Sequence, residues 1–146
     1  MPVGDWALRP ATAADVDAVA ELRAVVLRAD LERLGRYDEH RVRERFRAGF
    51  VASHTWIIEV GGAFAGCVAL RPADGAVWLE HFYLDTALQG RGIGTAVLGW
   101  VFDHCHGTTI RLNVLVGSPA RRLYERHGFH VESEDPVDVF MVRPPA

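Results

Sequence analysis

The run Gln89-Gly90-Arg91-Gly92-Ile93-Gly94 sets three glycines between two segments of different hydrophobic period. Upstream, Ala76 to Leu84 reads as a strand, rich in aromatic and aliphatic residues. Downstream, Ile93, Val97, Leu98, Val101 and Phe102 recur at helical spacing between Gly92 and His106. A glycine-rich turn from strand to helix lets backbone N–H groups approach an anion with no Cβ in the way, and the helix dipole adds a favourable field. This corner is therefore a candidate phosphate cradle. Its spacing excludes two familiar alternatives. A dinucleotide fingerprint would need glycine at Thr95 or Val97, and a P-loop would need Lys followed by Ser or Thr after its last glycine.

The rest of the chain supplies the elements around that corner. Trp6 to Arg9 reads as a first strand closed by Pro10. Thr12, with Asp15 three residues on, reads as the start of a helix that carries Val16, Val19, Val26, Leu27, Leu31 and Leu34 and stops at Gly35. A more polar helix is expected from about Asp38 to Ala48. Strands follow at Thr55–Val60 and Ala63–Arg71, joined by the hairpin signal Gly61-Gly62. Pro72-Ala73-Asp74-Gly75 turns the chain into the strand Ala76–Leu84. After the glycine corner and its helix come a strand at Ile110–Val116, a helix opened by Ser118-Pro119 and stopped by Gly128, and strands near Phe129–Glu132 and Val137–Val142. The order β-α-α-β-β-β-α-β-α-β-β predicts one α+β domain over residues 1–146. Its mixed, mostly antiparallel sheet of about seven strands is flanked by about four helices, with one β-α-β crossover in the middle.

Bulk composition narrows the function. A chain of 146 residues, about half of them apolar, buries a core without staples. The formal net charge of -3 argues against a generic nucleic-acid binder, and an anionic cofactor must then be held by local donors. No apolar run approaches the ~18 residues of a spanning helix, and Met1 to Trp6 carries no secretory leader, so a cytoplasmic protein without a membrane partner is expected. Cys67 and Cys105 have no paired spacing and read as buried thiols. His104, Cys105 and His106 contain zinc-type donors, but consecutive residues at a helix end point in different directions, and no metal is expected.

Two motifs together resemble the GNAT superfamily of N-acetyltransferases. Gln89-x-x-Gly92-x-Gly94 is similar to that family's pyrophosphate loop. Ala120-x-x-Leu123-Tyr124-Glu125-x-x-Gly128-Phe129 is similar to its second hallmark segment. The order of elements resembles the family over nearly the whole chain. One position departs from it: the family often has asparagine three residues before that alanine, and Gly117 stands there. That departure bears on contacts to the pantetheine arm, and Ser118 is left to take over the capping.

The resemblance implies acetyl-CoA as co-substrate, no metal, and direct attack of an amine on the thioester with both substrates bound. The N–H groups of Gly90, Arg91, Gly92, Ile93, Gly94 and Thr95 are then expected to hold the pyrophosphate, with Gln89 contacting it or fixing the loop. The main chain of Phe82 and Leu84 is expected along the pantetheine, with Phe82 N–H on the thioester carbonyl. Ser118 and Arg121 are expected near the cofactor, although Arg121 is equally able to pair with Glu125.

Tyr124 matches the family's general acid; the leaving thiol titrates near ~8.5 and a phenol near ~10. An amine of pKa near ~10.4 must lose a proton before it attacks, so a base is needed. Strict alternation puts Glu80 on the face of Phe82, which makes Glu80 the expected base through water. His81 takes its place if a bulge changes the register. Tyr37, His40, Arg41, Phe46, Trp56, Asp135 and Asp138 are candidates for acceptor contact. The resemblance implies a small-molecule or peptide amine as partner and allows a homodimer. It also leaves open a non-catalytic acyl-CoA-binding sensor, and a nucleotide-binding module is a third alternative.

Overall fold

The computed structural model describes residues 5–145. Met1 to Gly4, part of the segment read for a leader, lie outside the described residues. Seven strands form one sheet in the order β1-β2-β3-β4-β5-β7-β6, where β1 is Trp6–Pro10, β2 Thr55–Val60, β3 Ala63–Ala73, β4 Ala76–Leu84, β5 Thr109–Leu115, β6 His130–Glu134 and β7 Asp138–Arg143. The helices are α1 (Val16–Arg33), α2 (Glu39–Gly49), α3 (Ile93–His104) and α4 (Ala120–Arg126). This is the expected α+β class. All neighbouring strands pair antiparallel except β4 and β5, which the crossover through α3 makes parallel.

Local chemistry explains most boundaries. The carboxylate of Asp15 accepts from the Thr12 N–H at 2.8 Å, and Asp38 accepts from the N–H groups of His40 and Arg41 to start α2. The strand β3 runs two residues further than expected. The tight turn sits at Asp74-Gly75, and Pro72 and Ala73 stay paired with Val77 and Ala76. Helix α4 begins at Ala120, after a turn in which Ser118 Oγ accepts from the Ala120 N–H at 3.2 Å.

Two apolar clusters lie on opposite faces of the sheet. Beneath α3 and α4, Ile58, Val68, Leu79, Ile93, Val97, Leu98, Val101, Leu112, Tyr124 and Phe129 are buried together. Burial of each such aliphatic side chain contributes roughly 1.5–3 kcal/mol. Beneath α1 and α2, Val19, Ala20, Phe46, Ile57 and Cys67 form a smaller cluster, with Tyr83 packed against it. Of the expected α1 stripe only Val19 is fully buried, and Ala20 and Ala24 complete the buried seam; small side chains bring the helix close to the strands.

The sheet is split where the parallel pair lies. Strands β4 and β5 are paired only over Ala76–Trp78 against Thr109–Arg111. Beyond that point β4 stays bound to β3 as far as Leu84, and β5 to β7 as far as Leu115. The inner edges of Leu79–Leu84 and Leu112–Leu115 therefore diverge into a wedge within the sheet, and they carry backbone groups that no neighbouring strand satisfies.

Candidate active site

At the open end of the wedge, β4 leads through a short turn into the glycine corner. Asp85 Oδ1 accepts from the Ala87 N–H at 2.9 Å, and the Gln89 carboxamide donates to the Leu84 carbonyl at 3.0 Å. Gln89 thus ties the loop back to the strand. Gly90 and Gly92 hold φ of 77° and 84°, which a residue with a Cβ adopts only with strain. Ile93 is 1 % exposed and pins the corner to the core, while Gly90, Arg91, Gly92 and Thr95 are exposed. Among the described residues nothing accepts from the N–H groups of Gly90 to Thr95. Those at Ile93, Gly94 and Thr95 belong to the first turn of α3, where no intrahelical acceptor exists. These donors fit a pyrophosphate: uncompensated, convergent on one corner, and at the positive end of a helix.

On the wedge strand, alternation breaks. His81 and Phe82 together oppose Val68 of β3, and His81 takes φ of 46°. This bulge moves Phe82 across the sheet. Val77, Leu79, Phe82 and Leu84 all pack into the cluster under α3 and α4, while Tyr83 joins the cluster under α1 and α2. The expectation that Glu80 shares the face of Phe82 does not hold, because one extra residue separates them in register. Phe82 and Leu84 nevertheless both lie on the stretch of β4 that borders the wedge.

Glu80 is engaged by Arg71 of β3, whose Nε and Nη2 donate to its two carboxylate oxygens at 2.9 and 3.3 Å. The same guanidinium lies 5.8 Å from the centre of the Trp78 ring. His81 lies inward, its ring 5.1 Å from Phe46 of α2 and its Nδ1 3.0 Å from the Tyr83 hydroxyl. Burial, and after it the charge of Arg23, lowers His81 to about 4, so the ring is neutral near pH 7. Arg71, Arg23 and Tyr83 escaped the sequence reading. No local pattern marks them, because Arg71 and Arg23 reach partners on other elements and Tyr83 meets His81 only through the bulge.

From the other side of the wedge, α4 presents Tyr124. Its ring is 7 % exposed and packs edge-on to Phe129 with centroids 5.5 Å apart. No described residue hydrogen-bonds to its hydroxyl. Burial, and after it the neighbouring Tyr83, raises the phenol above its ordinary range. Arg121 lies 3.4 Å from Glu125, one turn along α4, and Ser118 is spent on the Ala120 N–H. Gly117 has φ of 82° and lies against the Arg33 guanidinium, which donates to the Val116 carbonyl.

The acceptor candidates separate as well. Asp135 accepts from the N–H groups of Val137 and Asp138 and shapes the β6–β7 turn, while Asp138 accepts from the Asn113 amide and ties β7 to β5. Tyr37 is stacked under Arg28 at 4.8 Å, His40 and Arg41 sit exposed in the first turn of α2, and Phe46 is buried beneath His81. Trp56 packs with Trp100 on the α3 face, away from α1 and α2. His104 stacks on Trp100 at 4.7 Å, and the described residues contain no cluster of three or more metal donors. No helix among the described residues is long and apolar enough to cross a membrane. A cavity of about 420 Å³ between Trp78, Arg111 and Phe140 lies at the paired end of β4, not in the wedge.

A split mixed sheet with a glycine corner at the mouth of its wedge is the architecture of the GNAT acetyltransferase fold. Residues 52–131 match the family pattern of the acetyltransferase (GNAT) domain, and the chain belongs to that family. Solved structures agree on the fold. PaiA N-acetyltransferase from Thermoplasma acidophilum, in complex with coenzyme A, is 18% identical with a TM-score of 0.75, over 96% of this chain and 99% of its own. The ribosomal-protein-S18-alanine N-acetyltransferase from Escherichia coli is 18% identical with a TM-score of 0.72, over 97% and 94%. Naa50 from Arabidopsis thaliana, in complex with the bisubstrate analogue CoA-Ac-MVNAL, is 18% identical with a TM-score of 0.67, over 95% and 98%. A comparison with curated proteins found no match.

Proposed function

We propose that this chain is an acetyl-CoA-dependent N-acetyltransferase that acetylates a primary amine by direct attack in a ternary complex. The observation that carries this reading is the wedge. Its β4 edge offers unpaired backbone amides along Leu79–Leu84, and the uncompensated N–H groups of Gly90 to Thr95 lie at its mouth. An extended ligand with amides along its length and a pyrophosphate at one end is complementary to both.

In this reading Gly90, Arg91, Gly92, Ile93, Gly94 and Thr95 hold the pyrophosphate through their N–H groups, and Gln89 keeps the loop in place. The main chain of Phe82 and Leu84 pairs with the pantetheine, and the Phe82 N–H stabilises charge developing on the thioester oxygen. Ser118 and Arg121 flank the arm. As the amine nitrogen bonds to the carbonyl carbon, the carbon–sulfur bond breaks and its electron pair leaves on sulfur. Tyr124 faces that sulfur as donor. Its phenol lies above the thiol's ~8.5, so it stabilises the thiolate chiefly by hydrogen bonding, since complete proton transfer to sulfur is uphill. Glu80, held by Arg71, is the base through water, acting from the sheet face opposite Phe82, and with the bulge present His81 is the alternative base.

The similar structures supply only a starting set for assay, an alanine of a ribosomal protein and a short peptide, to which polyamines are added as representative small-molecule amines. Titration calorimetry with acetyl-CoA, with NAD and ATP as controls, is the test, followed by thiol release over that amine panel. Micromolar acetyl-CoA binding with amine-dependent thiol release supports the reading. Binding without transfer favours the sensor function, and preference for NAD or ATP overturns the assignment of the loop.

A further inference from the structure

We infer that Tyr83, braced by Arg23, is a positioning residue that locks His81 and the β4 bulge into a single state. This inference rests on the acetyltransferase reading only for its kinetic consequence. It starts from an outlier: His81 is not glycine, yet its backbone is left-handed at φ 46°, in the middle of the strand that borders the wedge. Such a conformation persists only where the surroundings over-determine it.

Three contacts do so here. The Cys67 thiol donates to the His81 carbonyl; burial pushes that thiol up to about 12, so it keeps its proton. The His81 ring meets Phe46 edge-on at 5.1 Å. The Tyr83 hydroxyl lies 3.0 Å from His81 Nδ1. Arg23 of α1 completes the set: its Nε donates to the Tyr83 oxygen at 2.9 Å, and its Nη1 donates to the Val42 carbonyl of α2. The element carrying the bulge is thus braced by α1 and α2 through one buried phenol.

The direction of the hydrogens follows from the chemistry. A guanidinium only donates, so the Tyr83 oxygen accepts from Arg23. The phenolic proton then has one acceptor within reach, His81 Nδ1, and a buried O–H left without a partner is unfavourable. Burial pushes Tyr83 up to about 12 and draws His81 down to about 4, which keeps both groups neutral at physiological pH. With Nδ1 occupied as acceptor, the single ring proton of His81 sits on Nε2. His81 in this state cannot take up the proton of an incoming amine at Nδ1. Its part is to hold the backbone that aims the Phe82 N–H, and Glu80 keeps the role of base.

The test is the ring ¹⁵N spectrum of His81, recorded near neutral pH for the wild type, Tyr83→Phe and Arg23→Met. Acetyl-CoA titration and turnover with the best amine of the panel accompany it. The expected wild type carries its proton on Nε2 alone. Tyr83→Phe is expected to mix the tautomers and lower kcat about tenfold or more, with KM for acetyl-CoA within about twofold. Arg23→Met keeps the hydroxyl and is expected to mix the tautomers with a smaller loss of kcat, so it decides the matter if Tyr83→Phe does not fold. A proton on Nδ1 in the wild type overturns the inference, as does Tyr83→Phe with unchanged tautomer and unchanged kcat. A wild type that binds acetyl-CoA and transfers nothing overturns the acetyltransferase reading instead, and the spectra still decide the bracing.

Discussion

The Arg33 guanidinium, at the end of α1, presses on Gly117 so closely that a Cβ added there would lie 2.7 Å from one of its nitrogens. The same side chain donates to the Val116 carbonyl, so α1 is strapped to the connection between β5 and α4. A Cβ there meets only the far end of a flexible, half-exposed arginine side chain, which can move aside at the cost of its bond to Val116. Asparagine tolerates a left-handed φ better than most residues, so Gly117→Asn costs a modest backbone strain at φ 82° and the displaced Arg33 contact. We expect Gly117→Asn to lose at most about 1 kcal/mol of stability in urea denaturation, and to lose less in an Arg33→Ala background. Additive losses would show that the two positions are not coupled.

The loop glycines predict a binding defect. At φ of 84° Gly92 leaves its N–H free to face an anion, and an alanine there is strained by about 1–2 kcal/mol. Gly92→Ala is expected to weaken acetyl-CoA about tenfold or more in calorimetry, because each 1.4 kcal/mol lost at the cradle is a factor of ten. Gln89→Ala, which only unties the loop from Leu84, should cost less. Equal affinity in wild type and Gly92→Ala would move the phosphates elsewhere.

Tyr124 predicts the opposite pattern. Its hydroxyl is not needed for packing against Phe129, so Tyr124→Phe should fold normally. Loss of the donor to a leaving thiolate is expected to reduce kcat by about 10²-fold, with KM for acetyl-CoA nearly unchanged. A loss confined to KM would make Tyr124 a binding residue only.

His81 and Asp15 make stability depend on pH in two windows. His81 folds with a pKa of about 4 against 6.5 ordinarily, so the unfolded chain binds the extra proton. Its contribution is complete above 6.5 and is lost as pH falls toward 4. Asp15 lies below its ordinary 3.8 chiefly because Arg9 donates to its carboxylate. Its contribution survives that first window and is lost as pH falls below about 4. Urea midpoints between pH 7 and pH 3 should decline in these two stages, and His81→Gln should flatten the first. A midpoint that stays level from pH 6.5 to 4.5 in the wild type would contradict the burial of His81.

Local chemistry made much of this legible in advance. The Thr12–Asp15 start, the Asp38 cap, the Gly61-Gly62 turn and the stripe Ile93, Val97, Leu98 and Val101 each depend on residues within a few positions of one another. The loop Gln89 to Gly94 belongs to the same group, since its shape requires glycine at the two positions where φ is positive. Glu80 and Phe82 show where such reasoning stops. No glycine or proline announces the bulge at His81, so strict alternation put the two on one face.

Short-range chemistry set the elements, their order, the glycine corner and the family resemblance, because turns, caps and periodicity depend on neighbouring residues. Packing set which way β4 faces after His81, where β4 and β5 part, and which charges are already paired. Those outcomes depend on contacts made only after folding: Val68 against a two-residue bulge, Arg71 on Glu80, Arg33 on Val116, and Arg23 on Tyr83 from α1. A strand's face is set by the neighbour it pairs with, and one slipped residue reverses every side chain beyond it.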